Sequence, residues 1–370
     1  MTDFIVIGGG IAGAAAAAFL APNGQVVLLE KEPVLAYHTT GRSAAMLVEN
    51  YGSAGSRPLV RAARAFLESP PDGAVDSPLL SSRPVMWVSG QGTEDVLGPR
   101  ADTAIANGAQ CELLDRLAAL ERVPIMSPDW LVNALFEPSG ADIDVAGLHQ
   151  AFVRIARRYG SEIRTSAAVT AIDRHEGQWV VNTPDFTVRA PVVVNAAGAW
   201  GDVVARIARL EPIGLQPMRR TAFMVPGGAE LADLPLVVEA EEQFYFRPDG
   251  VQFLCSLAEE NPSAPEDVRP RMEDVALAIE RINRATTLDI RTVNSQWTGL
   301  RTFAPDRDLV IGEDPTAEGF FWLVGQGGIG IQTSPAYGAL LADLVTGDSV
   351  SQHLLAAGVD PSLTDPARFR

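Results

Sequence analysis

An apolar run, Asp3-Phe-Ile-Val-Ile7, passes directly into Gly8-Gly-Gly10-Ile-Ala-Gly13 and an alanine-rich stretch from Ala14 to Ala21. A second apolar run, Val26-Val-Leu-Leu29, then ends on Glu30. Short unbroken apolar runs suit strands buried on both faces, and the longer alanine stretch suits a buried helix. Strand, glycine turn, helix, strand and acid in this order make a dinucleotide-binding unit. Gly8 permits the tight turn, Gly10 lets a pyrophosphate reach the backbone, and Gly13 lets the helix lie close on the strand. Ile11 and Ala12 stand at the helix N-terminus, which favours the phosphates, and Glu30 is placed to take a ribose hydroxyl.

Past Glu30 the regular alternation stops, and Lys31 beside it is expected at the cofactor. His38-Thr-Thr-Gly-Arg-Ser-Ala-Ala45 reads as a polar loop leading into a helix. Pro58 to Glu68 reads as a helix stopped by Pro70-Pro71, and Pro84-Val-Met-Trp-Val88 as a strand. Asp144 caps a helix through Tyr159, with Leu148, Phe152, Ile155 and Ala156 on one face and Gly160 just beyond it. Short strands meander from Ser161 to Arg189, and Pro191-Val-Val-Val-Asn-Ala196 is apolar enough for the centre of a parallel sheet. From Leu215 to Thr298 the pattern alternates, with strands at Met218 to Val225, Phe244 to Arg247 and Val251 to Leu257. An amphipathic helix over Glu273 to Ala285 interrupts them. Phe320 to Val324 returns as a strand, followed by a glycine-rich turn and a helix opened by Ser334 and Pro335. The pattern predicts an α/β protein. A Rossmann-type domain with a parallel sheet is expected over 1–75, 145–214 and 299–370, and an inserted substrate-binding domain with a mainly antiparallel sheet over 76–144 and 215–298.

Composition narrows the function. With 370 residues, 47% of them hydrophobic, the chain can bury the core of two domains. A net charge of −17 argues against nucleic acid and anionic membrane surfaces. It also leaves local arginines to attract any anionic substrate. Cys111 and Cys255 make neither a disulfide framework nor a zinc pattern, and the four histidines fall at no metal-ligand spacing, so no metal is expected. The alanine helix lacks a basic flank, which argues against a signal peptide or membrane span and for a cytoplasmic protein.

Glu30 favours an unphosphorylated ribose, hence NAD or FAD. Two further segments tip the choice to FAD. The loop Thr39 to Ala45, with Thr40, Arg42, Ser43 and Ala44, and the run Gly325-Gln-Gly-Gly-Ile-Gly-Ile-Gln-Thr-Ser334 have no role in a simple NAD dehydrogenase. A flavin needs one loop along its pyrophosphate and ring system, and one helix N-terminus near its pyrimidine edge. There the helix dipole stabilises the charge that develops on reduction.

The chain resembles the D-amino acid oxidase/glycine oxidase superfamily of FAD enzymes, and within it the bacterial D-arginine dehydrogenase type. The resemblance runs over nearly the whole chain. It rests most on Tyr37 to Ala45, Gly140 to Asp144, Val194-Asn-Ala-Ala-Gly-Ala-Trp200, Gly214 to Pro217, Trp297-Thr-Gly-Leu-Arg301 and Gly327 to Ser334. It implies a non-covalent FAD along Val169, Ala197, Gly198, Trp200, Gly299, Gly327, Gly328, Ile329, Gly330, Ile331 and Gln332. It also implies a substrate carboxylate held by Arg220 and Arg301, tyrosines 245 and 51 beside that carboxylate, and Gln332 near the amine. Planar guanidinium forks suit such a clamp. Arg219, on the opposite face of its strand from Arg220, reads as a surface ion pair.

The departures are informative. Where the arginine-active relatives place a glutamate, Val85 follows Arg83-Pro84, and Met46 replaces a histidine. Val48, Leu236 and Val238 fill the other matching side-chain positions. Glu49 and Glu239 are expected to face away. An apolar pocket cannot compensate the desolvation of a basic head, so hydrophobic D-amino acids such as Leu, Met, Phe or Val are expected substrates. The product would be an imino acid that hydrolyses to a 2-oxo acid and ammonia. The alternatives are a glycine- or sarcosine-type amine oxidoreductase and a flavin-binding protein without turnover. The electron acceptor (a quinone, another carrier or O2) stays open. A monomer or weak homo-oligomer is expected.

Overall fold

The computed structural model describes residues 1–370; of its four sheets, the two large ones both contribute to the lining of one cleft. The first is six-stranded. From its centre outward on one side run Phe4–Ile7, Val26–Leu29 and Glu162–Arg164; on the other run Val192–Asn195, Phe320–Val324 and Val310–Glu313. All neighbouring pairs are parallel except the last, Val310–Glu313 on Phe320–Val324. The alternating runs of the sequence therefore supply one antiparallel edge strand that the pattern did not announce. The helix Ile11–Leu20 packs on this sheet together with Val145–Arg158 and Ser334–Thr346. Nine of its ten residues are buried, because alanine lets three helices approach closely.

Sequence expectation and structure differ at several points. The alanine helix begins at Ile11 and not Ala14. The loop after His38 does not lead into a helix: a 3-10 turn at Thr40–Arg42 is followed by a two-residue strand, Met46–Leu47, and no α-helix forms before Arg57. The reason is long-range. Thr39 Oγ1 donates to the Leu300 carbonyl at 2.8 Å and Trp297 Nε1 donates to the Arg42 carbonyl at 2.9 Å, tying the turn to the second sheet, and Met46–Leu47 pairs with Ala141 and Asp142. Of the expected meander over 161–189, Glu162–Arg164 instead joins the parallel sheet, and Ala171–His175, Gln178–Asn182 and Thr187–Ala190 form a separate antiparallel trio. The helix capped by Asp144 is as read, its carboxylate accepting from Gly147 N at 2.8 Å.

The second sheet has nine strands and is antiparallel apart from the pairing of Leu236–Glu239 with Val85–Ser89. Its long central strand, Gln216–Pro226, pairs with Ser295–Phe303 and Gln252–Ser256. Strand alternation sorts this sheet cleanly. Phe223, Val225, Phe246, Cys255, Val237, Met86 and Val88 point one way, into a core shared with the helix Met272–Ala285. Arg220, Ala222, Tyr245, Leu236, Val238, Val85 and Trp87 point the other way, into the cleft. No helix is long and apolar enough to cross a membrane.

Candidate active site

The glycine loop closes one end of the cleft. Gly8 adopts φ +112°, and a Cβ there would lie 2.5 Å from the Ala196 carbonyl oxygen. A Cβ on Gly13 would collide with the Gly8 carbonyl, so Gly13 acts by close packing and lies outside the cleft lining. The helix starting at Ile11 has no side-chain cap, and the Gly10 and Ala12 amides find no acceptor in the protein. Unpaired amides at a helix N-terminus bind anions, so this cradle fits a diphosphate. Thr40 Oγ1 accepts from Ile11 N at 2.9 Å. The buried Glu30 carboxylate accepts from Gly9 N at 2.6 Å and Glu32 N at 2.8 Å, fixing it at the strand end where a ribose would lie.

The lining continues through Lys31, whose ammonium sits 3.4 Å over the Trp200 ring, and through Val169, Ala197 and Gly198. Thr40, Arg42, Ser43 and Ala44 form the wall beside Gly299. Arg42 has a second task. It donates to the Thr298 carbonyl at 3.0 Å and the Val268 carbonyl at 3.2 Å and pairs with Asp267, tying loop to sheet. Opposite, Gly327, Gly328, Gly330, Ile331 and Gln332 line the cleft at the approach to the helix Ser334–Thr346, which also lacks a side-chain cap. Ile329 turns away from this lining into the apolar core. Gln332 is buried and its Oε1 accepts from Val48 N at 2.9 Å, while its Nε2 has no partner in the protein.

Arg301 lies within the strand Ser295–Phe303, two residues before its end, and not where the chain leaves the sheet. It lines the cleft and makes no hydrogen bond or ion pair within the protein. Burial draws its pKa down, but Tyr51, Tyr245, Glu242 and Glu260 outweigh that and leave it above the usual arginine value. Arg220, on the neighbouring strand, donates Nε to the Glu259 carbonyl at 2.9 Å and pairs with Glu260 at 3.4 Å. Burial lowers its pKa, and Arg301 adds to that as a like charge. Two guanidinium groups on neighbouring strands, one of them without a partner in the protein, form a site for an anion. Tyr245 and Tyr51 complete this corner, the Tyr51 hydroxyl donating to Glu242 at 3.1 Å.

Arg219 is not the expected surface ion pair. It is 5% exposed, has no acidic partner and donates to the Arg269 carbonyl, because the segment around Val268 covers that face of the strand. Met46, Val48, Val85, Leu236 and Val238 do come together, in one cluster with Trp87. Glu49 pairs with Arg64, and Glu239 accepts from the Glu241 and Gln243 amides; neither lines the cleft. Among the lining residues that the sequence reading did not single out are Trp87, Glu242 and Arg247. Alternation from Tyr245 puts Arg247 on the same face and could have found it; Glu242, at a positive-φ turn, carried no pattern.

The sequence profile of the FAD dependent oxidoreductase family matches residues 3–344, and the chain belongs to this family. Its cofactor is FAD. It is 25% identical to glycine oxidase of Geobacillus kaustophilus over 93% of this chain and 92% of that protein. The crystal structure of that glycine oxidase superposes with a TM-score of 0.85 at 23% identity, covering 94% of this chain and 95% of the other. L-proline dehydrogenase from P. horikoshii gives a TM-score of 0.86 at 19% identity over 100% and 97% of the two chains. Mitochondrial sarcosine dehydrogenase of Mus musculus is 24% identical over 71% of this chain, which spans only 31% of that protein's length. The protein is accordingly an FAD-dependent oxidoreductase.

Proposed function

We propose that the chain oxidises D-α-amino acids with an aliphatic or other apolar side chain, giving an imino acid that hydrolyses to a 2-oxo acid and ammonia. The observation that carries this reading is the unpartnered Arg301 guanidinium facing an apolar floor within one cleft. Arg301 and Arg220 clamp the carboxylate, with Tyr51 and Tyr245 beside it. Val85, Leu236, Val238, Met46 and Val48 receive the side chain and exclude water from it. That leaves the α-carbon between clamp and cofactor wall, with Gln332 Nε2 on the amine side. Bound FAD, held non-covalently, supplies the hydride acceptor. The chain's own contribution is orientation of the α-hydrogen and desolvation of the reacting carbon. Basic side chains are disfavoured, because Met46, Val48, Val85, Leu236 and Val238 offer them no acid and the cleft-lining Glu242 is engaged by Tyr51.

The match to glycine oxidase along nearly its full length favours a second reading, a glycine- or sarcosine-type activity. Anaerobic bleaching of the purified flavoprotein separates the two. D-Leu, D-Met or D-Phe should reduce it and D-Arg should not. Reduction by glycine or sarcosine alone would move the protein to the second reading. No reduction by any of these compounds would overturn both.

A further inference from the structure

The apolar floor does not end in apolar residues. Arg247 follows Tyr245 on the strand Tyr245–Asp249, on the same face and about 7 Å further along. It stands in the row Leu254, Arg247, where Leu236 and Val85 continue the floor on the adjoining strands. Its side chain is 13% exposed and lines the cleft. Only Nη1 is engaged, donating to the Pro248 carbonyl at 3.1 Å. Nε is buried without an acceptor, and Nη2 makes no hydrogen bond in the protein.

Asp142 does not account for Arg247. Its Oδ2 accepts from Arg83 Nε at 2.9 Å. Its Oδ1 lies 3.2 Å from Arg247 Nη1 but forms no aligned hydrogen bond and is itself left unsatisfied. Arg83 donates Nε to Asp142 and Nη1 to the carbonyls of Ala232 and Leu234. Two arginines thus share one carboxylate, with a net positive charge at the far end of the pocket and an unused guanidinium edge beside it. A buried donor without an acceptor is costly, and a carboxylate answers a guanidinium edge with two parallel hydrogen bonds.

We propose that Arg247 is a second anion-recognition site, selecting substrates whose aliphatic side chain ends in a carboxylate. This rests on the reading of the cleft as an amino-acid site and refines the side chain it takes: apolar along its stem, with a carboxylate in place of an apolar end. The substrate would span two arginine centres, its α-carboxylate on Arg220 and Arg301 and its distal carboxylate on Arg247, with methylene groups over Leu236 and Val85. Such a substrate is a dicarboxylic D-amino acid of glutamate or 2-aminoadipate size.

The first test needs no turnover. Thermal stabilisation of the FAD-loaded protein is titrated with glutarate and adipate beside pentanoate and hexanoate. The proposal expects at least one dicarboxylate to bind tenfold or more tightly than its monocarboxylate, and this difference to vanish in Arg247→Met. Arg247→Lys, which keeps the charge without the planar fork, should retain part of it. Equal binding of the two acid classes in the wild-type protein, no stabilisation by either, or a difference that survives in Arg247→Met overturns the proposal. The wild-type comparison decides even if a variant does not fold. In turnover, the ratio of kcat/KM for D-glutamate or D-2-aminoadipate to that for D-norleucine should fall at least tenfold in Arg247→Met. If D-norleucine reduces the flavin and the dicarboxylic acids gain nothing from Arg247, this inference fails and the amino-acid reading stands. If dicarboxylates bind through Arg247 and no amino acid reduces the flavin, the amino-acid reading fails instead.

Discussion

Gly328 faces the guanidinium of Arg301 so closely that a Cβ on the glycine would sit 2.7 Å from Nη1 and 3.0 Å from Cζ. The missing side chain is what leaves the arginine open to the cleft, since Gly328 has no positive φ that would otherwise require glycine. Arg301 in turn has no acceptor in the protein. Local backbone and distant side chain together keep one charged donor set free in a buried place.

Arg301→Met should therefore keep FAD and lower kcat/KM for a carboxylate-bearing substrate by about a hundredfold or more, as expected for two lost charged hydrogen bonds at about 1.5–3 kcal/mol each. Gly328→Ala should displace the guanidinium and raise KM about tenfold or more, an effect of about 1.4 kcal/mol or larger. Steady-state kinetics with an artificial electron acceptor check both, and the flavin spectrum confirms that cofactor remains.

Glu30 answers a different question. Its two oxygens hold the Gly9 and Glu32 amides, so Glu30→Ala loosens both the turn and the ribose end of the cradle. Loss of a buried charged acceptor of about 1.5–3 kcal/mol should weaken FAD binding about tenfold to a hundredfold. Fluorescence titration of the apoprotein with FAD measures this directly, and unchanged affinity would remove Glu30 from the cofactor site.

Much of this arrangement was legible in the chain because it depends on local pattern. The strand, glycine turn and alanine helix at residues 4–20 announce themselves through unbroken apolar runs, and Asp144 through its place before a helical periodicity. Alternation separated Arg219 from Arg220 correctly by face. It could not say that a loop near Arg269 would cover Arg219, because that contact crosses about fifty positions of sequence. The short strand Met46–Leu47 was misread for the same reason. Its extended form comes from pairing with Ala141 and Asp142, far away in the chain. Glu242 enters the cleft through turn geometry that no periodicity encodes, whereas alternation from Val85 places Trp87 on the cleft face and could have found it.

His149 lies beneath the glycine loop, buried, with Nε2 3.0 Å from the Gly9 carbonyl. Burial depresses its pKa below 6.5, against a smaller opposing effect of that hydrogen bond. In the unfolded chain the ring takes up a proton near pH 6.5. Below that value the unfolded state binds more protons than the folded one, so stability present above about pH 6.5 is lost as pH falls toward the folded-state pKa. The melting temperature and FAD retention should both decline between neutral pH and mildly acidic pH. His149→Asn should start less stable at neutral pH and show a shallower decline, as read by flavin-release fluorescence during thermal melts.

The most direct test of the central claim is anaerobic reduction of the wild-type flavoprotein by D-leucine, set beside L-leucine and beside the Arg301→Met variant. The account predicts rapid bleaching by the D enantiomer only, lost or slowed about a hundredfold in the variant. Bleaching by L-leucine, or bleaching by D-leucine that persists undiminished without Arg301, would contradict it.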